Sequence, residues 1–207
     1  LVVDTTLMSE LEQFLVTTVV ARVLFSLRKA LRSAENAEQL EQEIRLALGN
    51  DDAQGQVGMR SLADELVHRL QTGSLPYLRD GRLRAPSDLP YVNVVIEEAP
   101  SILNPDRLRF GSIFRDISRQ GRKFGIGLTV VSQQVSAIDA GVLTQTNTEL
   151  IMGLGNENER REAIRNASAD LAGFERELQV MGKGQLLVAA SYNDVPLPVQ
   201  VPNFDDL

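Results

Sequence analysis

Two apolar, β-branched runs constrain this chain more than any other feature: "VNVVIEE" at 92–98 and "GLTVVSQQ" at 127–134. Each has the length of a strand and stays apolar on successive residues, so both of its faces must be covered. Strands buried on two faces belong to parallel sheets flanked by helices. The segment between them, "NPDRLRFGSIFRDISRQG", has helical signals: Asn104 as cap, Pro105 in the first helical position and Gly121 as the stop. Strand, helix and strand in that order predict an α/β fold with a mostly parallel sheet.

The rest of the chain fits this frame in part. "LVVD" at 1–4 is expected to be a short buried strand. From Met8 to about Leu31, Leu11, Phe14, Leu15, Thr18, Val19, Arg22 and Val23 recur at spacings of three and four, the mark of an amphipathic helix, with Ser9 as N-cap. Residues 34–90 are acidic and helical in flavour. They are punctuated by "GNDDAQGQVG" at 49–58 and end in a Pro- and Gly-containing loop region at 72–90. After the second apolar run come a strand at 148–154, helices over "NENERREAIRNAS" and "ADLAGFERELQVM", and a closing hairpin of "GQLLVAAS" and "VPLPVQVP". Three segments result: a strand and helix at 1–33, an insertion at 34–90, and the main α/β portion with its hairpin and tail at 91–207.

Composition narrows the chemistry. There is no Cys and a single His, at position 68, which removes thiol nucleophiles, disulfides and Cys- or His-rich metal sites. Any catalysis rests on carboxylates, Lys and Arg, amides and hydroxyls. No run of about 18 apolar residues suggests a membrane span, no signal-like segment is present, and a cytoplasmic location is the default expectation. The net charge of −7 argues against a generally basic, nucleic-acid-coating surface. Yet Arg107, Arg109, Arg115, Arg119, Arg122 and Lys123 lie close together with one acid, Asp116, among them. A concentrated basic element on an acidic body points to a specific anionic target.

Ligands of parallel α/β sheets bind at the carboxyl ends of the strands, and Glu97 and Glu98 stand at such an end. As successive strand residues they would face opposite ways. One could then hold Mg²⁺ while its neighbour orients an attacking water, the division that nucleotide hydrolysis requires. Two acids at a strand end are also common as solvated loop residues. Ser132 and Gln133 follow the second apolar run at what should be the same sheet edge; a Gln there can bond a γ-phosphate oxygen, although Ser-Gln also suits an ordinary turn. In the helix between, Phe110, Phe114 and Ile117 fall at i, i+4 and i+7 and should face the sheet, while Arg115 and Arg119 share another face. Arg107 and Arg109 fit a solvated face. Arg119 and Arg122 fit a contact with phosphate, of a nucleotide on a neighbouring subunit or of nucleic acid.

"VVIEEAPSIL", "ISRQGRKFGIGLTVVSQQ" and "DAGVLTQTNTELIMGLGNENER", in that order, resemble the C-terminal half of the HerA-type ATPases, of the HerA/FtsK group of RecA-like motors. The opening "LVVDTTLMSELEQFLVTTVVARVLF" and the closing "GKGQLLVAASYNDVPLPVQV" resemble the same family, so the likeness covers roughly 1–30 and 91–202. It implies a RecA-like P-loop NTPase core that binds ATP and Mg²⁺, assembles as a hexameric ring and translocates double-stranded DNA during end processing beside a nuclease of the NurA type. It further implies Glu97 as the Walker B ligand of Mg²⁺, Glu98 as the glutamate that activates water, Gln133 with Ser132 at the γ-phosphate, and Arg122, with Arg119 second, as a trans-acting arginine. A motor of the VirB4 secretion and conjugation group shares that core, and a non-catalytic assembly scaffold is the reading from another class. Two departures stand out. Pro100 occupies a position where the family often has His, and no G-x-x-x-x-G-K-[ST] occurs in the chain. The one Gly-Lys, at Gly182-Lys183-Gly184, precedes a strand and is expected to be a tight turn. The phosphate loop is therefore expected upstream of Leu1, and these residues alone are expected to be inactive.

Overall fold

The computed structural model describes residues 2–49, 57–72, 78–79, 82–83, 90–109 and 112–202. The chain divides into two compact units, Leu1–Val95 with Arg119–Thr129, and Ile96–Ser118 with Val130–Leu207.

The first unit is built on helices. α1 (Glu10–Ser33) starts where expected: the Ser9 hydroxyl accepts from the Glu12 amide, and the Glu12 carboxylate accepts the Ser9 amide at 2.8 Å. This reciprocal cap satisfies two amides that a helix start leaves unpaired and is worth about 1 kcal/mol. α2 (Ala37–Gly49) and α3 (Val57–Gln71) pack on the far end of α1. Their shared core joins Ala30 and Leu31 of α1 to Leu40, Ile44 and Leu48, which recur every fourth residue on α2, and to Ala63 and Val67 of α3. β1 (Leu78–Arg79) and β2 (Arg82–Leu83) pair as a small antiparallel hairpin. The interruptions expected at 49–58 and 72–90 lie mostly outside the described residues.

Val2–Asp4 form no strand, contrary to expectation, and Val2 is 91% exposed. No described strand offers them a ladder, and the local polar groups turn inward instead: the Asp4 carboxylate accepts the Thr6 amide at 2.9 Å.

β3 (Val92–Ile96), α4 (Pro100–Leu103), α5 (Pro105–Leu108), α6 (Ile113–Gln120), a 3-10 turn at Gly121–Phe124 and β4 (Ile126–Val130) follow. β3 and β4 pair in parallel: the Val92 amide donates to Gly125 O at 2.9 Å and the Val131 amide to Ile96 O at 2.9 Å, so the register advances in step along both chains. The helix expected over 104–121 is two helices. Asn104 caps the first through the Arg107 amide, as expected, but the Ser112 hydroxyl accepts the Phe114 amide and so starts a second. Phe110 lies outside the described residues, while Phe114 and Ile117 are buried as the spacing predicts. α6 ends at Gln120, directly before Gly121, as expected; a 3-10 turn follows, and the backbone reverses at Gly125, whose φ is +67°.

The second unit continues with a 3-10 turn at Val135–Ala137, α7 (Ala140–Leu143), β5 (Thr148–Met152), α8 (Glu157–Asn166) and α9 (Glu175–Val180), then β6 (Gln185–Ala190) and β7 (Asn193–Gln200). The expected final hairpin is present, and β5 joins it to give an antiparallel sheet of order β5-β6-β7. One face, with Ile151, Leu187 and Ala189, packs on Leu171 and Leu178. The helix expected from Ala169 is shortened to α9, because Asp170 accepts the Ala172 amide in a local turn and Leu171 is drawn into that core. Gly182-Lys183-Gly184 is a tight turn: the Gln185 amide donates to Gly182 O at 3.1 Å and Gly184 has φ +76°. Among the described residues no helix is long and apolar enough to cross a membrane.

Candidate functional site

β3 ends at Ile96, before both glutamates, so Glu97 and Glu98 lie in the connection to α4 and not, as expected, on opposite faces of a strand. Val131 keys this connection. Its amide donates to Ile96 O at 2.9 Å and its carbonyl accepts from the Ala99 amide at 3.2 Å. In a regular parallel ladder the carbonyl and amide that embrace one residue are two positions apart. Here they are three apart, so one residue is inserted, in the manner of a bulge. Glu98 absorbs the insertion with φ +49°, the one positive value at a non-glycine among the described residues.

For a side chain with a Cβ that conformation costs about 1–2 kcal/mol, and such backbone settings persist where the surroundings over-determine them. The surroundings do so: Ala99 is fully buried, Pro100 opens α4, and the Ser101 hydroxyl donates to Glu98 O at 3.0 Å. Both glutamates are exposed, and neither carboxylate has a hydrogen-bond or ion-pair partner among the described residues. The fold thus spends local strain on two unneutralised carboxylates at the carboxyl end of a parallel strand.

On the other side of Val131 stand Ser132 and Gln133. The Ser132 hydroxyl donates to Gln134 O at 3.0 Å and accepts the Gln134 amide at 2.9 Å, so it closes its own turn. Gln133 is exposed, with no described partner for its amide. The backbone bonds of Val131 therefore bring Glu97, Glu98, Ser132 and Gln133 together within the second unit.

The far end of this loop is held by a residue that sequence reading passed over. Asp139 is 4% exposed, donates its amide to Leu103 O at 2.8 Å, and receives the Arg115 guanidinium in a two-pronged pair, Nε to Oδ1 at 2.9 Å and Nη2 to Oδ2 at 2.6 Å. The Arg115 hydrogen bond, aided by the Gly141 and Val142 amides, holds the Asp139 carboxyl below its ordinary range despite burial. Arg115 is thus a structural cation and no part of a solvated face.

Arg119 and Arg122 belong to the first unit; both are exposed and have no described partner. The 3-10 turn that carries Arg122 is fastened by Arg28, a buried residue of α1, whose Nε donates to Phe124 O at 2.7 Å and Nη1 to Pro90 O at 3.0 Å. A Cβ on Gly125 would lie 2.2 Å from Arg28 Nη2 and displace that guanidinium, and the φ of +67° also favours glycine there. Phe25 adds an edge-to-face contact with Phe124 at 5.4 Å. Ala21, Phe25 and Arg28 recur at i, i+4 and i+7, and an arginine in that apolar stripe was the available signal.

Among the described residues no three His, Asp or Glu side chains are grouped to enclose a metal. The free carboxylates of Glu97 and Glu98 suit a hard cation that takes oxygen ligands and keeps its waters, which is how Mg²⁺ is usually held beside phosphates.

No protein-family model matches the chain. Among curated proteins it is 31% identical over 124 residues to the DNA double-strand break repair helicase HerA of Pyrococcus furiosus, covering 58% of this chain and 22% of that protein. It is 32% identical over 116 residues to the probable HerA helicase of Methanocaldococcus jannaschii, covering 55% and 23%. The chain resembles HerA. It spans less than a quarter of the length of these HerA relatives. Among solved structures, VirB4 of Thermoanaerobacter pseudethanolicus aligns at 14% identity with a TM-score of 0.46, over 94% of this chain and 68% of that one. The genome packaging NTPase B204 of Sulfolobus turreted icosahedral virus 2, in complex with AMPPCP, aligns at 14% identity with a TM-score of 0.47, over 86% and 71%.

Proposed function

We propose that these residues are the Walker B half of a RecA-like, HerA-type ATPase that hydrolyses ATP at subunit interfaces of a hexameric ring and so drives double-stranded DNA through it. The observation that carries this reading is the strained turn at Glu97 and Glu98, keyed through Val131 to Gln133. In this role Glu98 orients the attacking water and takes its proton, while Gln133 bonds a γ-phosphate oxygen. Glu97 holds Mg²⁺, directly or through water. The metal supplies charge neutralisation on the phosphates. Arg122, or Arg119 in its place, reaches a nucleotide on the adjacent subunit and stabilises charge on the transferred phosphoryl group, a contribution of about 10³–10⁵ in rate.

Residues 34–90 serve as a peripheral insertion, and the phosphate-cradling loop comes from another segment of the complete protein, so that 1–207 alone are inactive. The role in DNA end processing with a NurA-type nuclease and a cytoplasmic location belong to the same proposal. Glu98→Gln in the complete protein is expected to abolish ATP turnover while leaving nucleotide affinity intact. Turnover at the normal rate in that variant overturns the ATPase assignment of this site. Absence of hydrolysis in the unaltered complete protein, with and without duplex DNA, supports the scaffold reading instead.

A further inference from the structure

The loop from Val131 to Asp139 is pinned at both ends, by the ladder bonds of Val131 and by Arg115 at Asp139. Its middle is different. Among the described residues the only hydrogen bonds from the middle of this loop to another element run from Ser136 to Glu159 on the first turn of α8: the Ser136 amide donates to Glu159 Oε2 at 3.0 Å and the hydroxyl to Oε1. The next residue on α8, Arg160, is 6% exposed and donates through Nη1 to Leu154 O at 2.8 Å and Gly155 O at 2.7 Å, in the connection that follows β5. Leu154 in turn donates its amide to Leu178 O of α9 at 2.8 Å. Two neighbouring charged residues therefore fasten the loops after two different strands, β4 and β5, to one helical turn.

We infer that Glu159 is a positioning residue for Gln133: by holding Ser136 it sets the height and orientation of the loop that presents the Gln133 amide. This rests on the proposed role of Gln133 at the γ-phosphate and names the group that enforces it. The carboxylate suits the task because it accepts both the amide and the hydroxyl of one serine, which fixes a backbone position as well as a side chain. Arg160 makes the anchor stiff, since a guanidinium bonded to two consecutive carbonyls holds the first turn of α8 against the end of β5.

The test uses the complete protein and steady-state ATP hydrolysis. Glu159→Ala should lower kcat about tenfold, the loss that freeing one backbone residue corresponds to. KM for ATP should stay within about twofold, because the contact acts on chemistry and not on ground-state binding. Glu159→Gln, which keeps an acceptor for Ser136, should recover most of the rate. In a Gln133→Ala background, already slowed, adding Glu159→Ala should cost nothing further. An unchanged kcat in Glu159→Ala, or an undiminished additional loss in the double variant, overturns the inference. If Glu159→Ala does not fold, Glu159→Leu, which fills more of the space and likewise offers no acceptor to the Ser136 amide and hydroxyl, reads the same contact, and a normal kcat there is equally decisive. Glu98→Gln, measured beside these, separates the two levels. Turnover in it removes the ATPase assignment, whereas an inert Glu98→Gln with a normal Glu159→Ala removes only the positioning role.

Discussion

At the residue scale the most telling position is Glu98, where backbone strain meets the proposed function. A glycine at φ +49° carries no Cβ to clash. Glu98→Gly is therefore expected to stabilise the fold by about 1 kcal/mol while eliminating hydrolysis. Urea midpoints of the two proteins check the first half, and a Glu98→Gly midpoint below that of the parent would show that the turn is unstrained. Sequence displayed the two glutamates at the end of an apolar run. It did not display the inserted residue, because Gly or Asn marks left-handed backbone and Glu does not. Arg28 illustrates the same limit in another way. Its charge suggests a surface, yet three carbonyls around Phe124, Pro90 and Gly125 draw it in.

At the scale of elements, the Arg115–Asp139 pair joins α6 to the start of α7 and closes the Gln133 loop. Asp139→Asn leaves a guanidinium without its counter-charge and should cost about 1–3 kcal/mol at neutral pH. Because Arg115 depresses the folded-state pKa of Asp139, the stabilisation is fully present above the ordinary carboxylate range and is lost as pH falls through it, below about 4. The stability gap between the parent and Asp139→Asn should therefore narrow from pH 7 to pH 3 in chemical denaturation. A gap independent of pH would remove the ion pair from the account. Element boundaries were legible where a cap announced them, as at Ser9 and Asn104. They were not where a serine restarted a helix, at Ser112, or where an aspartate turn pre-empted one, at Asp170; such choices depend on what the neighbouring apolar residues can bury.

For the molecule as a whole, alternating apolar runs and helices foretold the α/β class and the parallel β3–β4 pair, while the antiparallel partnership of β5 with β6 left no trace in the periodicity of either segment. A short apolar strand looks the same in both directions. Assembly offers its own check. If the catalytic glutamate and the arginine act from adjacent subunits, Glu98→Gln and Arg122→Ala proteins, each inactive alone, should regain part of the ATPase rate when mixed into common rings. Failure to recover at any ratio would place the two groups on one subunit or remove Arg122 from the reaction. The sheet also bears on handling. On the side away from the Leu171 and Leu178 core, Leu150 (65%) and Met152 (61%) of β5 and Leu197 and Val199 of β7 are exposed, while Leu186 between them is buried, and among the described strands β5 forms one border of the sheet. A greasy ribbon with an open border is a colloidal hazard. For the 207-residue polypeptide it implies aggregation that grows with protein concentration and thermal scans that end in precipitate, the net charge of −7 notwithstanding.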